Sequence, residues 1–209
     1  MKTTPNGRGF ESYSPSRKVF VNIDRAKHIQ MGAVSERDSI VDKIQFTLPG
    51  SSIIKDDLAV LDIIANNIND RPIYFAVTCR PEKMQGLDDF MQLEGLAVRI
   101  VPVKSQSERA FGLIGSGRVA TEKVFERVTK KFRWGNFDKE KTYINTSYQP
   151  SVQTTEFTIL RTALEMARQK DTVRAAELLD KKFEAFPNFN FPYSAENDVF
   201  FLDAYIRAG

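Results

Sequence analysis

LAVLDIIANNINDRPIYFAVT, residues 58–78, followed by GLDDFMQLEGLAVRIVPV, residues 86–103, decides the fold class. Leu58, Leu61, Ile64, Ala65 and Ile68 recur at three- and four-residue steps, so one face of a helix is apolar and must be covered. Ile73 to Val77 and Leu96 to Val103 are short, nearly uncharged and rich in β-formers, as strands covered on both faces are. The run GLDDFMQLEG reads as a second amphipathic helix. Helix–strand–helix–strand predicts an α/β fold with a small mixed or parallel sheet and flanking helices.

Outward from this unit, KIQFTL at residues 43–48 alternates and stops at Pro49-Gly50, a strand with one wet face. Lys18 to Ile23 alternates in part and reads as a first strand. Asp56 or Asp57 supplies an N-cap or first-turn carboxylate for the helix near Leu58. Asn66, Asn67, Asn69 and Asp70 offer a left-handed close to that helix, and Pro72 forces Arg71 extended. Residues 1–17 are rich in Gly, Pro, Ser and Arg and read as a flexible arm.

The 209-residue chain is long enough for a full core, and 42% apolar with 27% charged residues is ordinary for a globular protein. A formal net charge of +3, with basic residues spread along the chain, argues against nucleic acid. Cys79 is the only cysteine, which excludes an intrachain disulfide and a multi-cysteine metal site, and with His28 the only histidine a His-based zinc site or a Ser/His triad has little support. Cys79 reads as a buried or strand-end thiol, and His28, in RAKHIQ, as a surface residue. No run reaches the length of a membrane span and no signal peptide opens the chain, so composition alone reads as cytoplasmic. No cofactor or metal is expected.

Three features hint at chemistry, and each has a plainer reading. Asp88 and Asp89 are adjacent, so their carboxylates diverge instead of converging across a cleft, and they read as N-terminal helix charge. FGLIGSGRVATEKVF, residues 111–125, places glycines as G-x-x-G-x-G with no following Lys-Ser or Lys-Thr, which is a glycine loop and not a phosphate loop. KVFERVTKKFRWGN, residues 123–136, sets Val124, Val128 and Phe132 on one helical face, with Gly135 as terminator. Trp134 reads as an anchor packing this helix on the sheet, or as a platform for a sugar ring.

From Thr154 the pattern is helical alone. Ile159, Ala163, Met166, Ala175, Leu179 and Pro187 fall at tetratricopeptide spacing, with Lys170 where the turn glycine is common. NDVFFLDAYIRAG at residues 197–209 begins a second unit of the same kind. The predicted division is an arm at 1–17, an α/β domain at 18–150 and tetratricopeptide-like helices at 151–209. A lone repeat leaves an apolar face open, which the α/β layer or further chain must cover.

LDIIANN with RPIYFAVT, then GLDDFMQLEGLAVRIVPV, FRWGN and the tail ending AYIRAG, resemble the extracytoplasmic C-terminal region of bacterial protein-O-mannosyltransferase-like multi-spanning membrane proteins. The resemblance covers residues 18–209 in motif order. It implies a segment delivered across the membrane by spans upstream, with the acceptor-activating carboxylates in the membrane-embedded part and none here. The partners it implies are that membrane-embedded part and a protein or glycan acceptor.

The leading expectation is therefore a non-catalytic extracytoplasmic accessory domain that presents an acceptor or partner. One alternative is a self-contained α/β enzyme or small-ligand binder using the strand ends after Val77 and Val103. A helical scaffold acting through the tail is the other. Asn67, Arg71, Trp134 and Asn136 are the candidate ligand or partner surface, with no catalytic residue among them.

Overall fold

A computed structural model describes residues 2–3, 10–11, 16–49, 53–108, 112 and 114–209. Within the predicted arm, β1 (Lys2–Thr3) pairs antiparallel with β2 (Phe10–Glu11). Most of that arm, and the prediction that it is flexible, lie outside the described residues. β3 (Lys18–Asn22) and β4 (Lys43–Thr47) form the two predicted strands and pair with each other, Lys18 opposite Thr47 through Asn22 opposite Lys43. Alternation in β4 buries Ile44 and Phe46 and leaves Lys43, Gln45 and Thr47 exposed. α1 (Arg25–Gln30) lies between these strands, opened by Asp24, whose carboxylate accepts the Lys27 N–H at 3.1 Å.

α2 (Lys55–Asn67) is the helix expected from the apolar stripe, and Ile64 and Ile68 carry its buried side. Asp56 and Asp57 both stand in its first turn, as expected. Ile54 occupies the cap, and Asp57 reaches back to accept the Ile54 N–H at 3.2 Å. Its other end closes without a left-handed asparagine. Ile68 stays right-handed at φ −58°, and the Asn67 carbonyl accepts from Asp70 and Arg71 at 2.9 and 3.0 Å before Pro72 ends the run.

The predicted second helix is the main correction. Only a single 3-10 turn forms, Asp88–Phe90, and the chain then becomes β6 (Met91–Leu93). Two left-handed residues, Gln85 at φ 56° and Gly86 at φ 81°, block helical entry. Met91-Gln92-Leu93-Glu94 also alternates with period two, so strand pairing satisfies both its faces. β5 (Tyr74–Ala76) and β7 (Ala97–Ile100) are the two expected strands, and β8 (Arg118–Val119) completes a sheet in the order β5-β7-β6-β8. The β5/β7 and β7/β6 pairs are antiparallel and β6/β8 is parallel, so the sheet is mixed. Phe75, Val98, Leu93, Met91 and Ile100 line its apolar face and share a core with Ile44, Phe46, Ile64 and Ile68.

α3 (Thr121–Glu126) continues as a π-helical turn, Arg127–Lys131, and then come α4 (Gln149–Arg168), α5 (Thr172–Ala185) and α6 (Ala195–Ala208). Val124 and Val128 join Ile159, Ala163, Met166, Leu178, Leu179, Phe201 and Ala204 in a second core. The open face of a lone helical hairpin is thus covered on one side by α3 and on the other by α6. Lys182 of α5 is 2% exposed and ties the three helices together. Its ammonium lies 3.3 Å from Glu156 of α4 and 3.5 Å from Asp198 of α6, over the rings of Phe183, Phe201 and Tyr193. Burial raises the Glu156 pKa against the attraction of Lys182.

Lys170 takes φ 64° at the α4–α5 turn, where the repeat spacing favours glycine. A Cβ in this conformation is costly, so Lys170→Gly is expected to stabilise the fold by about 0.5–1 kcal/mol. A rise in urea midpoint at constant slope would register it. An unchanged or lower midpoint would contradict the strain.

Candidate functional site

The opposite face of the mixed sheet is polar. Tyr74, Arg99, Gln92 and Arg118 are consecutive cross-strand neighbours in register, one from each strand. Glu94 lies two residues beyond Gln92 on the same face and is 1% exposed. Its carboxylate accepts from the Gln92 amide at 2.7 Å, the Lys123 ammonium at 2.9 Å and the Tyr74 hydroxyl at 3.1 Å. Arg127 and Arg99 approach it to 3.7 and 4.0 Å. Burial pushes its pKa up, but the Lys123, Gln92 and Tyr74 donors together outweigh burial and hold it below the usual glutamate range.

The row continues outward. The Gln92 side-chain Oε1 accepts from Arg118 Nε at 2.6 Å, and Arg118 Nη1 reaches Asp38 at 2.6 Å. The segment after α1 covers the face with its backbone. Arg99 points at the Met31 carbonyl, 3.4 Å away, and the Gly32 carbonyl accepts from Lys123 at 3.1 Å. A glutamate so enclosed is a structural counter-charge, since no base can act on a substrate it cannot touch.

His28 corrects the surface expectation. It is 2% exposed because α1 turns it inward toward this face. Burial, aided by the nearby Arg99 charge, lowers its pKa from 6.5. The folded state therefore prefers neutral imidazole, and unfolding takes up a proton. Stability is expected to fall as pH drops below about 6.5, by at most about 1.4 kcal/mol per pH unit from this group. His28→Gln should flatten the slope of urea stability between pH 7 and pH 5. An identical slope would sink this assignment.

The glycine loop is held by its carbonyls. Arg161 of α4 donates to Ile114 and Gly117 carbonyl oxygens, the latter at 2.6 Å, while the Gly117 N–H reaches Ser107 Oγ at 3.0 Å. A phosphate loop directs its N–H groups at an anion, and here the bound group is a cation. Burial pushes the Arg161 pKa down to about 10, which leaves it charged at neutral pH. Beside this loop a polar cleft of about 680 Å³ includes residues 105–108 beyond Val103. Three of its arginines are matched with carboxylates: Arg118 with Asp38, Arg168 with Glu165 and Arg207 with Asp203.

A second concavity, about 490 Å³, is apolar and lies between the β6–β7 turn and the helices. Leu96, Phe132, Trp134, Phe137, Tyr148 and Phe191 supply its walls, with Lys131 and Arg133 among its lining residues. Trp134 meets Phe132 and Phe186 edge-on, both with centroids 5.6 Å away. Its aromatic partners thus lie on the helical side and not on the sheet. Gly135 at φ 66° and Asn136 at φ 61° turn the chain there, three residues after the helix has already stopped at Phe132.

The four expected surface residues divide between two places. Asn67 bonds back to the Ile63 carbonyl at 2.9 Å, and Arg71 is exposed beside Asp70, whose carboxylate is taken by Lys27 at 2.8 Å. Trp134 and Asn136 lie in the loop beside the apolar groove, and Asn136 is exposed. Sequence reasoning missed Glu94, Arg99, Gln92 and Arg118. Their signal was the strict alternation of MQLE and AVRI, which the helical reading of residues 86–95 obscured. Cys79 is half-buried just after β5, its N–H bonded to the Ala76 carbonyl at 2.9 Å.

The sequence profile of the TMEM260-associated domain 2 family matches residues 2–123. This span takes in the three sheets found among the described residues and the polar row through Lys123, and it ends before Trp134. Comparison with curated proteins and with solved structures gives no match.

Proposed function

The chain belongs to the TMEM260-associated domain 2 family, and from that premise we propose that it is a non-catalytic accessory domain of a larger membrane protein. In this reading it stands on the extracytoplasmic face beside a glycosyltransferase-like, membrane-embedded portion of the same protein, and it presents an acceptor or partner through the groove at Trp134. The observation that carries the non-catalytic part is the fate of Glu94. This acid, gathered with Lys123, Arg127, Arg99 and Tyr74, is sealed among its own donors at 1% exposure. Among the described residues no helix is long and apolar enough to cross a membrane. The motifs of residues 18–209 support the extracytoplasmic placement and the link to protein-O-mannosyltransferase-like proteins.

The test uses the natural full-length protein in intact cells. Tyr143 is 86% exposed, and a Tyr143→Cys variant should react with a membrane-impermeant maleimide from outside. Reaction only after permeabilisation would overturn the placement. Glycosyl transfer by the isolated 209-residue chain would overturn the non-catalytic assignment.

A further inference from the structure

Residues 130–141, KKFRWGNFDKEK, hold Lys130, Lys131, Arg133, Lys139 and Lys141 against Asp138 and Glu140, five charges against two, or +3. Basic residues are spread along the whole chain, and this short segment is one place where they outnumber the acids. All five are exposed, and among the described residues only Lys131 is ion-paired, with Glu126 at 2.9 Å between two half-exposed side chains. Such a pair is screened and opens at little cost.

The basic segment borders the apolar groove directly, because Lys131 and Arg133 line it together with Trp134. Tyr148, 62% exposed, lines it too, and Tyr143 stands nearby in sequence at 86%. Asp, Glu, Asn and Gln are missing from the lining, so a sugar ring would find few side-chain acceptors for its hydroxyls. Tryptophan and tyrosine with lysine and arginine form the composition of a membrane–water interface. Their amphipathic rings lie at headgroup depth, and the basic side chains rest their stems on apolar material while their charges meet phosphates.

We propose that this edge docks the domain on an anionic lipid surface, with Trp134, Tyr148 and Leu96 entering the headgroup layer and Lys131 and Arg133 meeting lipid phosphates. The inference rests on the accessory-domain reading, which puts a bilayer within reach, and it names the partner of the same groove.

Trp134 is the only tryptophan, so its emission reports the groove directly. The 209-residue chain is titrated with vesicles of phosphatidylcholine alone and of phosphatidylcholine mixed with phosphatidylglycerol, at low and high salt. The expected result is a blue shift and co-flotation with the anionic vesicles at low salt, both lost with neutral vesicles or high salt. Lys131→Ser with Arg133→Ser, both exposed, should leave the circular dichroism spectrum intact and weaken partitioning about twenty-five-fold, about fivefold for each charge near the surface. Equal affinity for neutral vesicles, or an unaffected double variant, would overturn the proposal. A shift given only by an acidic peptide, an oligosaccharide or an oligonucleotide would overturn it as well. Failure of vesicle binding leaves the accessory role standing, whereas glycosyl transfer by the chain would remove that role without touching the lipid result.

Discussion

Replacing Glu94 by glutamine is expected to lower stability by about 3–5 kcal/mol, the usual cost of breaking one side of a buried charge cluster. The carboxylate is the nearest negative charge to Lys123, Arg99 and Arg127, and a neutral amide leaves three cations facing one another under the backbone of residues 31–33. At this chain length the melting temperature should drop by roughly 10 °C. The sign of the pH effect follows from its lowered pKa. Glu94 contributes fully above its unfolded value, near 4.5, and that contribution is lost as pH falls through the lower folded value. The difference between wild type and Glu94→Gln should therefore narrow in acid. Adding Lys123→Met should recover part of the loss, since the two residues share one interaction. A cost under about 1 kcal/mol at pH 7 would mean that the network is dispensable.

Gly117→Ala is expected to be as damaging for a purely steric reason. Gly117 has φ 61°, and a Cβ there would stand 1.8 Å from the Met91 carbonyl oxygen and 2.8 Å from the Met91 nitrogen. Backbone cannot yield as a side-chain tip can. The next two residues, Arg118 and Val119, pair with Gln92 and Leu93, so displacement of the loop would unzip β8 from the sheet. A loss of about 4 kcal/mol or more is expected, in the range that marks overpacking. Gly32 provides the control, with the same φ of 61° and nothing within 4 Å of its Cβ position. Gly32→Ala should cost only the left-handed conformation, about 1–2 kcal/mol. Equal urea midpoints for the two variants would show that contact with Met91 is not the cause.

Much of the architecture was legible because local patterns and final environment agreed. The stripe of α2, the alternation of β4 and the apolar runs of β5 and β7 all became the elements their spacing predicts, and Lys170 is left-handed at φ 64° between α4 and α5. GLDDFMQLEG failed because two periods overlap within ten residues: Leu87, Phe90 and Met91 fit a helical face, while Met91 to Glu94 fits a strand. Hydrogen bonding to β7 and β8 resolved the choice. Trp134 was conspicuous as a single large aromatic at a helix end, but its partner Phe186 and the groove residue Phe191 lie more than fifty residues away, and no local rule connects them.

The α/β class and the helical tail follow from periodicity, a local property of the chain. That Tyr74, Arg99, Gln92 and Arg118 form one row, that His28 is enclosed, and that a basic loop borders an aromatic groove came from the folded arrangement. Those outcomes depend on strand register and on which helix face meets which layer, and both are set by packing between segments far apart in the chain.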